Sequence, residues 1–548
     1  MSDVPADAQQ SGPPPWLAPS ALLVLLALSF LGLNHGLWTP DEPREAEISR
    51  EMLLSPGVIP TLNGTAFIEK PPLYYWMVAG VFRLAGAASP LAARVVSAAA
   101  GFLTLLLVFR WGRRAHSVAA GLIACLMLAT SFQFMLSTHW VLIDPLLMLF
   151  TTTAAWAAWE LLRGNADWRV VTGFYLALVL ALWTKGLIGP VLIGAGLATY
   201  TLIQRRSPWQ PLRLAVGSLV MGAALASLAA AIYLAGGRDA VWQWAWVNHV
   251  LRFVHPRNTG HAQPLAYYLW TLPFALLPWL VPLLDALRPA RWRTPDAAAD
   301  LYRYSLVMAG AMLLLLSAAS TKRGIYLLPV LPLVFLAFAV NALRWRDAHV
   351  GAQSLGPGWS VQAALVGAFA LAPSIAALVY LGRPVPAALT LLVMAIAMCT
   401  TLVVARRRGN PDQALLALAG CVLVATTGFL VLVPRTLDHE KDMAPFVAWV
   451  DQQIPALESV YAVGADESLL AIVPFVTGRS VISLDADGLA ALKAGAPPQP
   501  EFVLVQSKHS RSSLTELGSG YHIEGRRNFG RDRNLALWQR GASPEARP

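Results

Sequence analysis

Thirteen apolar runs, separated by short polar breaks, fill most of the chain up to residue 434. They lie at about 17–34, 91–110, 117–135, 145–162, 169–184, 187–204, 212–235, 265–285, 302–319, 325–343, 359–381, 384–405 and 413–433. Runs of this kind, at or near about 18 residues, read as membrane helices. Arginines gather at the exits of the even-numbered runs: Arg110, Arg113 and Arg114; Arg163 and Arg169; Arg205 and Arg206; Arg288, Arg291 and Arg293; Arg344 and Arg346; Arg406, Arg407 and Arg408. The positive-inside rule then places these exits and the N-terminus in the cytoplasm. The odd-numbered exits and the C-terminus face outward. Residues 1–16, polar with Gly12-Pro-Pro-Pro15, read as a disordered cytoplasmic tail ahead of a retained first span.

After Pro434 the pattern changes. Asp438-His-Glu-Lys-Asp442 opens a polar region with short strand-like runs at Val460–Val463, Ser480–Ser483 and Phe502–Val505. A helical pattern at about 466–475 lies between the first two. The expected fold class is therefore a polytopic α-helical membrane protein of about 13 spans, residues 17–434, with a small outward α/β domain at 435–548.

Composition agrees with this pattern. Of 548 residues, 56% are hydrophobic and only 13% charged, so most of the chain has lipid or core to face. The net charge of +10 comes from arginines spread between apolar runs, not from a basic patch, and implies membrane lipids rather than nucleic acid as the partner. Cys125, Cys399 and Cys421 all fall in apolar runs, with neither a disulfide framework nor a metal signature.

Against this background the first outward loop, about 35–90, stands out. It holds Asp41-Glu-Pro-Arg44-Glu-Ala-Glu47-Ile-Ser-Arg50-Glu51 and then Phe67-Ile-Glu69-Lys70-Pro71-Pro72-Leu-Tyr-Tyr-Trp76. A helix over 43–53 would bring Arg44, Glu47 and Glu51 near one face and leave Asp41 as its N-cap. Asp144, before Pro145, reads either as a second cap or as a second acid of a shared cleft. Further outward cations oppose the charge rule that the rest of the chain obeys: Lys185, Arg252, Lys322 and Arg323, beside Arg44 and Lys70. Cations held near the outer interface are costly, roughly 2.5–3.5 kcal/mol at a helix centre and less near its ends. Some snorkelling aside, their number suggests a common anionic ligand. Lys322 and Arg323 precede a span whose first amides also attract anions, with Tyr326 in reach. His249 and Arg252 would share a helix face, and the tryptophans around them read as an interfacial belt or as sugar-stacking platforms. A divalent metal on Glu69 and a histidine such as His261 is an alternative that two candidate ligands support only weakly.

These motifs resemble the aminoarabinose transferase branch of the bacterial protein-mannosyltransferase-like membrane glycosyltransferases, of the GT-C fold group. The resemblance rests on Asp-Glu-x-Arg-x-Ala-Glu, Phe-Ile-Glu-Lys-Pro-Pro-Leu-x-Tyr-Trp and Lys-Arg-x-x-Tyr-Leu-Leu-Pro. It implies a polyprenyl-phosphate sugar donor of the undecaprenyl type, an active site on the periplasmic side of the bacterial inner membrane, and no required cofactor. It implies that Asp41 and Asp144 are the catalytic acids. It assigns Arg44, Lys70, Lys322, Arg323 and Tyr326 to the donor phosphate; phosphate binding would also explain Lys185, held near the membrane surface by a short turn, as would snorkelling. Glu69 matches the acid of the acid–lysine pair near the donor phosphate; with His249, Arg252 and Tyr267 it is the expected substrate contact. The chain departs from the pattern at Glu45, where an aromatic is usual, and at Pro43. The leading expectation is transfer of 4-amino-4-deoxy-L-arabinose to lipid A, with inversion. The alternatives are another lipid-linked sugar passed to a protein or envelope glycan, or a lipid-linked sugar transporter. Transporters commonly carry internal repeats and charges at mid-membrane, whereas these loop motifs do not repeat and their charges gather at one face.

Overall fold

The computed structural model describes residues 14–541 apart from 166, 206–210, 255–261, 294, 297, 352–354, 382–385, 456–457, 508–516, 518–519 and 531–532. Every one of the thirteen apolar runs contains helix. Among the described residues, six helices are each long and apolar enough to cross a membrane: Pro90–Ala115, Asp144–Leu162, Arg213–Val254, Ala299–Ala318, Gly324–Ala348 and Pro411–Pro434. The pair Val118–Ala129 and Phe132–Thr138, bent by 70°, is apolar enough when taken together and has the geometry of a broken span or a re-entrant loop. The chain is a multi-pass membrane protein. It forms two compact units, one of residues up to Leu31 with Ser97–Val431, the other of Gly32–Val96 with Leu432 onward.

In the helical unit the helix Leu331–Ala348 is the centre. Phe335, Leu336 and Phe338 are fully enclosed, and nearly every residue up to Leu343 is buried. Trp111 packs edge-on to Tyr304, whose hydroxyl donates to the Ala155 carbonyl at 2.7 Å. Helices Pro90–Ala115 and Val118–Ala129 approach so closely that a Cβ on Gly112 would lie 2.8 Å from Gly121 Cα. At the other extreme, the long Arg213–Val254 segment exposes Leu219 and Leu234 almost fully, the surface expected of a lipid-facing helix.

The second unit joins the loop of residues 35–90 to the C-terminal residues. The loop holds two helices, Asp41–Leu54 and Leu73–Ala85, with a two-stranded hairpin, Thr61–Leu62 and Thr65–Ala66, between them. Its turn is Asn63-Gly64, with φ of 51° and 73°, the left-handed pair that suits Asn-Gly. Asn63 also bonds the backbone of Val481 in both directions, at 2.8 and 2.9 Å. The C-terminal residues form a five-stranded sheet in the order Val481–Leu484, Val460–Val463, Phe502–Ser507, Arg533–Arg540, Tyr521–Phe529. The first three strands are mutually parallel, and the last two continue antiparallel. Helix Glu467–Thr477 connects two of the parallel strands and packs on helix Asp41–Leu54. Its N-cap is Asp466, whose carboxylate accepts from the amides of Ser468 and Leu469.

Candidate functional site

The helix Asp41–Leu54 carries most of the charge. It begins two residues earlier than the 43–53 expectation, and this changes the role of Asp41. Pro40 occupies the cap position, and Asp41 is the first helical residue. Its carboxylate instead takes a 3.0 Å hydrogen bond from Arg44 Nη2, one turn on. The helix is pinned from below by Glu42. Arg94, fully buried, bonds both oxygens of Glu42 at 2.8 Å and also donates to the carbonyls of Leu33, His35 and Gly36. The second oxygen of Glu42 accepts from the Trp38 amide as well. Asp41 is therefore placed by a neighbour whose five-bond anchor leaves no slack.

Glu45 is the hub of the cluster. It is 1% exposed, yet receives Lys70 Nζ at 2.8 Å, Arg44 Nη2 at 2.7 Å and the Tyr75 hydroxyl at 2.8 Å. Burial alone would push this carboxyl up; Lys70 and Arg44 outweigh that and bring it down to about 2. The expected acid–lysine neighbours Glu69 and Lys70 are adjacent in the chain, but the lysine's ion-pair partner is Glu45. Arg44 Nη1 reaches Glu467, the first residue of the C-terminal helix Glu467–Thr477, at 2.7 Å. Arg44 and Glu47 do not pair: Glu47 is held by Arg50 through two 2.7 Å bonds, and Glu51 accepts from Thr61 at 2.5 Å.

The helical unit brings together a second group. Asp144 is the first residue of its helix, with Ile143 at the cap position and no side-chain capping bond. The capping alternative for Asp144 is thus replaced by an ion pair with Lys185 at 2.6 Å. Lys185 Nζ also lies 4.5 Å from the centroid of the Tyr326 ring, a cation–π contact. Next to it Gly186, with φ of 72°, leaves space that His249 Nε2 occupies, since a Cβ there would come within 2.0 Å of it. His249 lies in a π-helix, Gln243–Leu251, and its other ring nitrogen is 2.6 Å from the Trp244 carbonyl. Arg252 opens the following short helix, and its carbonyl accepts from Ser320. Trp242 and Trp246 stack at 5.5 Å on the exposed side.

A cavity of about 290 Å³ lies beside this group, lined by Gln133, Gln263, Tyr267, Lys322, Arg323, Gly324 and Ile325. Lys322 is 3% exposed and donates to the Gln263 carbonyl at 3.0 Å, and burial holds its ammonium below the ordinary lysine range. Tyr268 donates to the Arg323 carbonyl at 3.3 Å. Gln133 lines this cavity although nothing in its local sequence marks it. His261 lies outside the described residues, and among those described no group of three or more His, Cys, Asp or Glu side chains is placed to hold a metal ion.

The fold, a multi-pass helical protein with an α/β appendage, is similar to that of the GT-C membrane glycosyltransferases. Residues 19–236 match the family model of dolichyl-phosphate-mannose-protein mannosyltransferase. Its fold is like that of ArnT. It superposes on ArnT from Cupriavidus metallidurans bound to undecaprenyl phosphate with a TM-score of 0.73, over 97% of this chain and 99% of that one, at 20% identity. It also superposes on the archaeal oligosaccharyltransferase AglB from Archaeoglobus fulgidus with a TM-score of 0.51, over 89% of this chain and 69% of that one, at 12% identity. By sequence it is similar to the undecaprenyl phosphate-alpha-4-amino-4-deoxy-L-arabinose arabinosyl transferase of Edwardsiella ictaluri, 33% identical over 56% of each chain. The relative of the same name from Pseudomonas aeruginosa is 32% identical over 58% of each. The matched part thus spans little more than half the length of these curated relatives.

Proposed function

We propose that this protein transfers 4-amino-4-deoxy-L-arabinose from undecaprenyl phosphate to lipid A, at the periplasmic face of the inner membrane. The observation that carries this reading is the Asp41–Arg44–Glu45–Lys70 cluster: a buried carboxylate beside two cations that are held by a second, fully neutralised carboxylate. The sequence similarity to transferases of that name supports the choice of sugar and lipid.

The chemistry follows from charge. When the bond between the anomeric carbon and the phosphate oxygen breaks, the bonding electrons leave with oxygen, and the polyprenyl phosphate gains a negative charge. Arg44 and Lys70 meet that charge where it develops, which is the effective place for donors. The sugar carbon becomes oxocarbenium-like, and Asp41 stabilises it as a carboxylate. The acceptor phosphate of lipid A is largely ionised at neutral pH, by analogy with a phosphomonoester whose second pKa is about 6. It attacks from the opposite face without a general base, giving inversion. In this reading Asp144, Lys185, Tyr326, Lys322 and Arg323 form an anion-binding group of the helical unit itself, with Tyr267, His249 and Arg252 around it. Two fixed cations supply the charge compensation, so the reaction runs without a cofactor. Transfer that persists in excess EDTA is the expected result.

A second reading keeps the chemistry and changes the sugar or acceptor. It draws on the match to the mannosyltransferase family model and on Glu45, which stands where the resemblance expects an aromatic. Mass spectrometry of lipid A from cells with and without the protein tests both. A mass step of one aminoarabinose present only with the protein is expected. Unchanged lipid A beside an altered envelope glycan or protein would replace the first reading with the second.

A further inference from the structure

Glu467 does something that neither a cap nor a surface residue requires. It is the first residue of helix Glu467–Thr477, and that helix's amides are already served by Asp466. Asp466 is itself fixed by Arg533. Ser468, the next residue, donates to the Pro40 carbonyl at 3.1 Å, so this turn is seated on the start of helix Asp41–Leu54. Glu467 then projects its carboxylate to Arg44 Nη1, at 2.7 Å, while half of its side chain stays exposed. The other terminal nitrogen of Arg44 is committed to Asp41 and Glu45. Glu467 is thus the one solvent-reachable member of the three carboxylates on this arginine: Asp41 and Glu45 have side chains no more than 6% exposed.

The charges make the contact consequential. Asp41, Glu45 and Glu467 set three negative charges against the two positive charges of Arg44 and Lys70. With Glu467 in place the cluster carries one negative charge in excess; with Glu467 withdrawn it is neutral. A phosphate that is to use Arg44 Nη1 must take the place of this carboxylate, since both are anions that accept from the same N–H.

We propose that Glu467 is a displaceable counter-anion on Arg44, through which the C-terminal α/β domain competes with the phosphate of the lipid carrier for the site. The inference rests on the functional reading above for the identity of that phosphate. Competition weighs most on the product. The donor is a phosphodiester with one charge, whereas the released polyprenyl phosphate carries nearly two at neutral pH. Without a competitor the product would be the better ligand of Arg44 and Lys70. Glu467, tethered at high local concentration, returns to Arg44 as the product leaves and holds the arginine oriented for the next donor.

The test is binding of undecaprenyl phosphate to the purified full-length protein in detergent, comparing wild type with Glu467→Gln and Glu467→Ala, each with a thermal melt. Removing a half-exposed competitor should tighten binding by about two- to fivefold in both variants, the range that an exposed pair of this kind supports. In turnover, the same variants should show stronger inhibition by added undecaprenyl phosphate. Equal or weaker binding in the variants, whether or not the melt falls, would make Glu467 a brace for Arg44 and overturn the inference. So would absence of binding to all three proteins. Binding is read without any sugar transfer, so failure of the transfer assay with binding intact would strike the functional reading and leave this one standing.

Discussion

Glu42 and Arg94 face each other with no solvent access to either side chain, joined by two parallel 2.8 Å bonds. The pair ties the start of the Asp41–Leu54 helix to the helix Pro90–Ala115. The three further carbonyls that Arg94 collects fix the chain between Leu33 and Gly36. Removing one partner leaves a buried unpaired charge, which typically costs about 3–5 kcal/mol. Arg94→Met should therefore lower the melting temperature sharply. Arg94→Met combined with Glu42→Leu should recover part of the loss, because the double variant leaves no buried charge behind. Melts of the two proteins in the same detergent decide it; no recovery would mean that the carbonyl contacts of Arg94, not its charge pairing, hold this corner.

Glu45 gives a pH signature. Its carboxyl is lowered from an ordinary 4.5 to about 2, by Lys70 and Arg44 against the opposing effect of burial. A carboxyl lowered on folding stabilises the folded state fully above its unfolded value. That stability is lost as pH falls from about 4.5 through about 2, and for one buried group amounts to up to about 3 kcal/mol. Wild-type stability should thus decline across this acid window. Glu45→Gln should be less stable at pH 6 and show a shallower decline. Parallel pH profiles for the two proteins would remove Glu45 from the role of hub.

Tyr326 offers two separable features, a ring against Lys185 and a hydroxyl. Phenylalanine keeps the ring, and a cation can rest on it nearly as well. Tyr326→Phe should therefore melt like the wild type. Loss of one hydrogen bond to a charged group would weaken donor use by roughly tenfold or more. Tyr326→Ala should add a loss of stability, since Lys185 and the buried Asp144 then lose their cover. Full activity in Tyr326→Phe would confine the residue to seating Lys185.

Much of this was legible along the chain, for physical reasons. Apolar runs long enough for a bilayer announce themselves, and each contains helix. Asp41, Arg44, Lys70, Asp144 and Lys185 stand out because charge is scarce near membranes and must be paired there. Local pattern hid what depends on distant partners. Glu45 looked like a departure from the resemblance; only the fold brings Lys70 and Tyr75 to it from 25 and 30 residues away. Glu467 is 423 residues from Arg44, and nothing around it hints at that contact. The edge strand Tyr521–Phe529 escaped because Glu524, Arg526 and Arg527 break up its apolar alternation. The capping role for Asp41 and Asp144 failed for one reason in both. Each sits inside the first helical turn rather than before it, and its carboxylate meets a cation there.

That placement sharpens the test of Asp41. A capping aspartate would tolerate asparagine, which ranks with it as a cap. Asp41 stands one residue past the cap position, and its side chain is 6% exposed and bonds Arg44 at 3.0 Å. Asparagine is nearly isosteric, and its amide oxygen can still accept from Arg44, so Asp41→Asn should express, insert and melt close to the wild type. The amide carries no charge, however, and cannot offset positive charge on a sugar whose bond to phosphate is breaking. Transfer from a purified undecaprenyl-phosphate sugar donor should fall by at least about a hundredfold, in line with losing a group that acts on developing charge. Binding of undecaprenyl phosphate should persist, because Arg44 and Lys70 remain and the cluster has lost a negative charge. Retained transfer in a well-folded Asp41→Asn protein would pass the catalytic role to Asp144, a buried acid of the helical unit with a lysine at 2.6 Å.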